Sequence, residues 1–90
     1  MTHIIYTESY NKKAAKFIKK HPELAAQYQK TLQLLELNPR HPSLKMHKLK
    51  GKAEDLFAVS INISYRILLF FFIAEDVVIP VNIGTHDEVY

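Results

Sequence analysis

The chain has 90 residues, 48% of them hydrophobic, with two glycines, four prolines, no cysteine and a net charge of +3. This describes one small domain, too apolar for a disordered segment, and it excludes disulfides and thiolate metal sites. The first residues lack the basic start and long apolar stretch of a signal peptide, and the longest apolar run, Ile67 to Ala74, is far short of the ~20 residues that span a bilayer, so a cytoplasmic protein with no membrane partner is expected.

Residues 3 to 6, His-Ile-Ile-Tyr, are β-branched or aromatic and predict a short first strand. Thr7 or Ser9 can cap the helix that follows. Tyr10, Ala14, Phe17 and Ile18 recur there at helical spacing, and the five lysines between residues 12 and 20 form the opposite, solvated side. His21-Pro22 breaks this helix, and Pro22 can open a second. Leu24, Tyr28, Leu32 and Leu35 form its apolar stripe, and Asn38-Pro39 stops it. The short connection predicts an antiparallel pair. Residues 43 to 52 read as irregular and basic, with Leu44, Met46 and Leu49 as anchors and Gly51 at the end. Arg40, Lys45, Lys48, Lys50 and Lys52, with His41 and His47, have no acid among them. Such a polarised surface attracts polyanions, RNA first among them.

Phe57, Val59, Ile61 and Ile63 alternate with Ala58, Ser60 and Asn62, which is strand period with one wet side. Ser64-Tyr65-Arg66 starts another strand after a tight reversal, and Ile67 to Ile73, apolar on both faces, reads as the central one. After the turn Ala74-Glu75-Asp76, Val77, Ile79, Val81 and Ile83 alternate with Val78, Pro80 and Asn82. Pro80 cannot donate to a ladder, so it is expected unpaired or bulged. The order β-α-α-β-β-β predicts an α+β fold over residues 1–90, two N-terminal antiparallel helices packed on a small, mainly antiparallel sheet. The far face of that sheet would carry Ser60, Asn62, Arg66, Asn82 and, beyond the last strand, His86. Leu68 and Phe70 share the parity of Arg66 and would form an apolar patch there, suited to a dimer or a bound peptide.

Leu49-Lys50-Gly51, Tyr65-Arg66-Ile67-Leu68 and Ile83-Gly84-Thr85-His86, in this order over most of the chain, resemble the RelE/ParE superfamily of bacterial toxins. The Gly-Thr-His ending with Tyr90 four residues on is closest to the YafQ-like branch. The resemblance implies a RelE-like fold and the toxin of a type II toxin–antitoxin pair. It implies a ribosome-dependent endoribonuclease that cuts messenger RNA without metal or cofactor and is neutralised by a cognate antitoxin in a hetero-oligomer. ParE-like relatives instead poison DNA gyrase, and an inactive antitoxin-binding relative is the third alternative. Carried over residue by residue, His86 falls on a catalytic histidine of the YafQ-like toxins and His47 on a histidine of the same site, as a second proton-transfer group or a phosphate contact, Arg66 on the arginine at the scissile phosphate, and Tyr90 on the aromatic that stacks on a base. The departure is Phe57-Ala58-Val59-Ser60, where relatives place titratable side chains. Lys45, Lys48, Lys50 and Lys52 are the expected RNA-backbone contacts. Histidine suits both proton transfers of such a cleavage, with an unperturbed pKa of ~6.5, and arginine suits the phosphate.

Overall fold

The computed structural model describes the whole chain, Met1–Tyr90. Its elements are β1 (His3–Ile4), α1 (Glu8–Lys20), α2 (Ala25–Leu37), β2 (His47–Lys48), β3 (Leu56–Ser60), β4 (Tyr65–Phe72), β5 (Val77–Thr85) and α3 (His86–Val89), with single 3-10 turns at Pro22–Leu24 and Pro42–Leu44. The five strands form one mixed sheet in the order β1-β5-β4-β3-β2, with β4 at its centre as its two-sided apolar pattern requires. Only the β1–β5 pair is parallel. The fold is therefore α+β with a mainly antiparallel sheet, as expected.

Thr7 is the cap of α1: its hydroxyl accepts from the Tyr10 N–H at 3.1 Å. Tyr10, Ala14 and Phe17 of α1 and Leu35 of α2 pack with Val59, Ile67, Leu69, Phe71, Val78 and Ile83 into one core on a single side of the sheet. Inside it the Tyr10 and Tyr28 hydroxyls share a 2.8 Å hydrogen bond, which satisfies two polar groups that would be costly to bury unpaired. Burial, with Tyr28 alongside, drives the Tyr10 phenol far above its usual pKa. Leu44 reaches the core from the basic segment and Met46 packs against it, whereas Leu49 stays half-buried outside it.

Four expectations need correction. The first strand covers His3–Ile4 and not residues 3 to 6, because β5 pairs with it only at Val77 and Val78. Ile63 is 89% exposed, since the reversal between β3 and β4 already begins at Ile61. The basic segment is not wholly irregular: His47–Lys48 pairs with Phe57 and Ala58 as an edge strand. Finally, the alternation assigned to the last strand holds for Ile83 alone. Leu68 pairs with Asn82 but Leu69 pairs with Pro80, so Val81 is an extra residue in the ladder. Such a bulge resets the side-chain parity. Val78 and Pro80 therefore face the core, and Val77 and Ile79 face away. The irregularity expected at Pro80 falls at its neighbour, whose carbonyl accepts from Lys13 Nζ at 3.2 Å.

Candidate functional site

Residues paired across adjacent strands share a face. One cross-strand row on the side away from α1 and α2 runs His47, Ala58, Leu68, Asn82, and the next runs Ser60, Arg66, Gly84. The strand period thus sets the His47 and Arg66 side chains on the same face. The remaining members arrive on α3, which begins where β5 ends. Thr85 and Glu88 build a reciprocal capping box: the Thr85 N–H donates to Glu88 Oε1 at 2.8 Å, and the Glu88 N–H donates to the Thr85 hydroxyl at 3.3 Å. Gly84 permits the tight turn into it, because a Cβ there would lie 3.1 Å from Glu88 Cβ and 2.9 Å from Glu88 Oε1. The Asn82 amide reaches the Glu88 carbonyl at 3.5 Å, and Val89 is buried outside the helix-side core. So α3 folds back over the far face and covers its Leu68 end. Leu56, Phe70, Phe72, Val77 and Ile79 remain half-exposed beyond it, with the Phe70 and Phe72 rings stacked at 6.0 Å.

α3 delivers His86 and Tyr90 to His47. The Tyr90 hydroxyl lies 2.9 Å from His47 Nε2, and the His86 ring stands edge-on to Tyr90 at 4.2 Å between centroids. His47 Nδ1 lies 3.0 Å from the Lys45 carbonyl. A carbonyl only accepts, so Nδ1 carries the proton, and in the neutral ring Nε2 presents its lone pair to the Tyr90 hydroxyl. Lys45 turns its carbonyl toward His47 by adopting the left-handed conformation, φ 49° and ψ 42°. His86 Nδ1 is 3.4 Å from its neighbour's carboxylate, Asp87 Oδ1.

Arg66 makes no salt bridge; its Nη1 donates to the carbonyls of Asn62 at 2.9 Å, Ile63 at 3.1 Å and Tyr65 at 3.3 Å in the β3–β4 turn. Those bonds fix the guanidinium and leave its charge unneutralised. Burial raises the Tyr90 phenol above its usual pKa, and the nearby Arg66 charge pulls the other way. Arg66, His47, His86 and Tyr90 are therefore neighbours in space.

The lysines divide. Lys48, Lys50 and Lys52 line a hollow of about 410 Å³ with His47, Leu49 and Tyr90. Lys45 lies on the other side of β2, in a second hollow that Lys48 also borders. On β3, Phe57, Ala58, Val59 and Ser60 bring no titratable group to the site. No three His, Asp or Glu side chains converge as a set of metal ligands. The part of the site that sequence reading missed is the scaffold, α3 and β2. The Thr85-x-x-Glu88 spacing was the available signal for α3.

No family model and no curated protein matches the sequence. Solved structures do match the fold. YafQ in the Escherichia coli DinJ–YafQ toxin–antitoxin complex superposes with a TM-score of 0.79 at 17% identity, covering 100% of this chain and 99% of that one. A copper-bound mutant toxin from Helicobacter pylori gives 0.73 at 21% identity, with 100% of both chains covered. A YoeB/ParE toxin from Agrobacterium tumefaciens gives 0.74 at 12% identity over 93% of this chain and 98% of that one. The β1-β5-β4-β3-β2 sheet with α1 and α2 on one face and α3 folded over the other is thus the fold of the YafQ and YoeB/ParE toxins.

Proposed function

We propose that this protein is the toxin of a type II toxin–antitoxin pair and acts as a ribosome-dependent, metal-independent endoribonuclease on messenger RNA. The observation that carries the reading is the His47 imidazole, oriented by the Lys45 carbonyl with its Nε2 2.9 Å from the Tyr90 hydroxyl, beside His86 and an Arg66 that no carboxylate pairs. A ribose 2′-hydroxyl takes the place of the Tyr90 hydroxyl at Nε2. His47 removes its proton, O2′ attacks the adjacent phosphorus, and the bond to the 5′-oxygen breaks. His86, entering as imidazolium, returns a proton to that oxygen, leaving a 2′,3′-cyclic phosphate and a 5′-hydroxyl. Arg66 holds the phosphoryl oxygens as their charge builds, and its turn carbonyls spare it the cost of being ordered during the reaction. The displaced Tyr90 ring stacks on a base. Lys45, Lys48, Lys50 and Lys52 hold the flanking backbone.

His47 and His86 together supply the acid and base that β3 lacks. The neutralising partner is a cognate antitoxin whose acidic segment folds over the lysine-lined hollow on binding. The E. coli YafQ structure in complex with DinJ supports that part. The deciding experiment is primer extension on messages after induction in growing cells. Discrete breaks within translated message are expected, and they should vanish with His47→Ala or His86→Ala. Growth arrest with intact message and damaged DNA would move the protein to gyrase poisoning.

A further inference from the structure

β2 is the wall between two basic hollows, since His47 borders both. The one away from Tyr90 has a volume of about 290 Å³ and sets Arg40, His41, Lys45 and Lys48 above an apolar floor of Met46 and Phe57. No carboxylate lines it. His41 is fixed within it: its Nδ1 accepts the Ser43 N–H at 3.2 Å and lies 2.8 Å from the Ser43 hydroxyl. A backbone N–H only donates, so Nδ1 is bare and the ring proton sits on Nε2, available to a ligand. Guanidinium and ammonium groups also only donate. The Lys45 backbone holds a left-handed conformation that costs a non-glycine residue free energy, and strain of this kind gathers at ligand sites. Charged and imidazole groups offering donors alone suit a ligand that offers acceptors alone. The apolar floor beneath suits a sugar.

We propose that this hollow is a second phosphate subsite, which takes the backbone phosphate of the nucleotide next to the one held at His47 and rests its ribose on Met46 and Phe57. The assignment rests on the RNA-cleaving reading above and adds Arg40 and His41 to the surface that reading uses. RNA is favoured over an acidic peptide because His47, a member of the cleavage cluster, also lines this hollow.

The test is binding of a 2′-O-methyl hexaribonucleotide, which cannot be cleaved, to the full chain across a salt series. Arg40→Gln alone, and Arg40→Gln with His41→Gln, are each compared with wild type. The Arg40 side chain makes no hydrogen bond or ion pair within the protein, so Arg40→Gln leaves intact the Pro42–Leu44 turn that His41 caps. A roughly tenfold rise in Kd is expected for each substitution, with the slope of log K against log salt flattening by about 0.7 in both variants as the Arg40 charge is lost. Wild-type Kd and slope in both variants would overturn the subsite. So would an acidic hexapeptide that competes for the hollow while the RNA does not bind. Tight, variant-sensitive binding by a wild-type protein that cleaves no message would uphold the subsite and sink the nuclease.

Discussion

The Tyr90 hydroxyl occupies the one nitrogen of His47 that can act as a base, at 2.9 Å. The two residues are 43 positions apart and reach each other because β2 and α3 meet on the same face of the sheet. The ring and the hydroxyl of Tyr90 therefore make separable contributions. Tyr90→Phe should bind RNA nearly as wild type, while Tyr90→Ala should lose about 1–3 kcal/mol of binding free energy as a stacking platform disappears. Fluorescence anisotropy with a short labelled RNA reads both. Equal losses in the two variants would assign the contribution to the hydroxyl.

Arg66 has two separable jobs. Its Nη1 satisfies turn carbonyls, each such bond contributing about 0.5–1.5 kcal/mol, and its charge faces the cluster. Arg66→Ala should lower the melting temperature and reduce cleavage by about 10²–10³-fold. Arg66→Lys should restore part of the stability without the planar fork, and most of the rate should stay lost. Full cleavage by the lysine variant would show that charge alone suffices.

Gly84 has no side chain to take part in the chemistry, yet a methyl group there would collide with Glu88. Glu88 cannot move aside freely, because its carboxylate closes the capping box. Gly84→Ala should displace α3 and with it the Tyr90–His47 contact. Expected signs are altered His47 ring resonances and cleavage reduced by at least tenfold, a cost of about 1.4 kcal/mol in the barrier. Unperturbed resonances would mean that the turn into α3 has slack.

The Glu88 carboxyl is held below its ordinary range, first by the Thr85 backbone N–H and then by the Thr85 hydroxyl, with Lys20 and His21 adding to this. A group whose pKa is lower in the folded state stabilises that state fully above its unfolded pKa, and the contribution fades as pH falls through the folded value. The cap on α3 should therefore loosen on acidification below the ordinary value of 4.5. Thr85 and Tyr90 amide shifts, followed from about pH 5 to about pH 3, should move together. Glu88→Gln should remove that step, and an identical titration in this variant would refute the link.

The elements readable in the sequence were those long enough to show a period. The α1 stripe and the Thr7 cap were legible, as was β4, whose run of apolar residues marks the central strand of the sheet. β2 has two residues and α3 four, too short for any periodicity, and tertiary contacts decide both. The parity of β5 was misread because a single unpaired residue, Val81, inverts everything before it. Pro80 gave notice of an irregularity but not of its position. Arg66, His47, His86 and Tyr90 were all singled out from the sequence. What it did not contain was the route by which they meet, or that the backbone carbonyls of its own turn would hold Arg66.

β1 pairs with β5 through His3 and Val77, and the Thr2 hydroxyl donates to Asp76 Oδ1 at 2.7 Å, so the opening residues of the chain are secured by its closing strand. Synthesis makes β1 first and that strand much later. A growing polypeptide carries His47 and Arg66 well before it carries His86 and Tyr90, and no truncated product ending ahead of them can hold all four groups. A chain cut before His86 keeps β1 to β5 but has neither α3 nor the Tyr90 contact to His47.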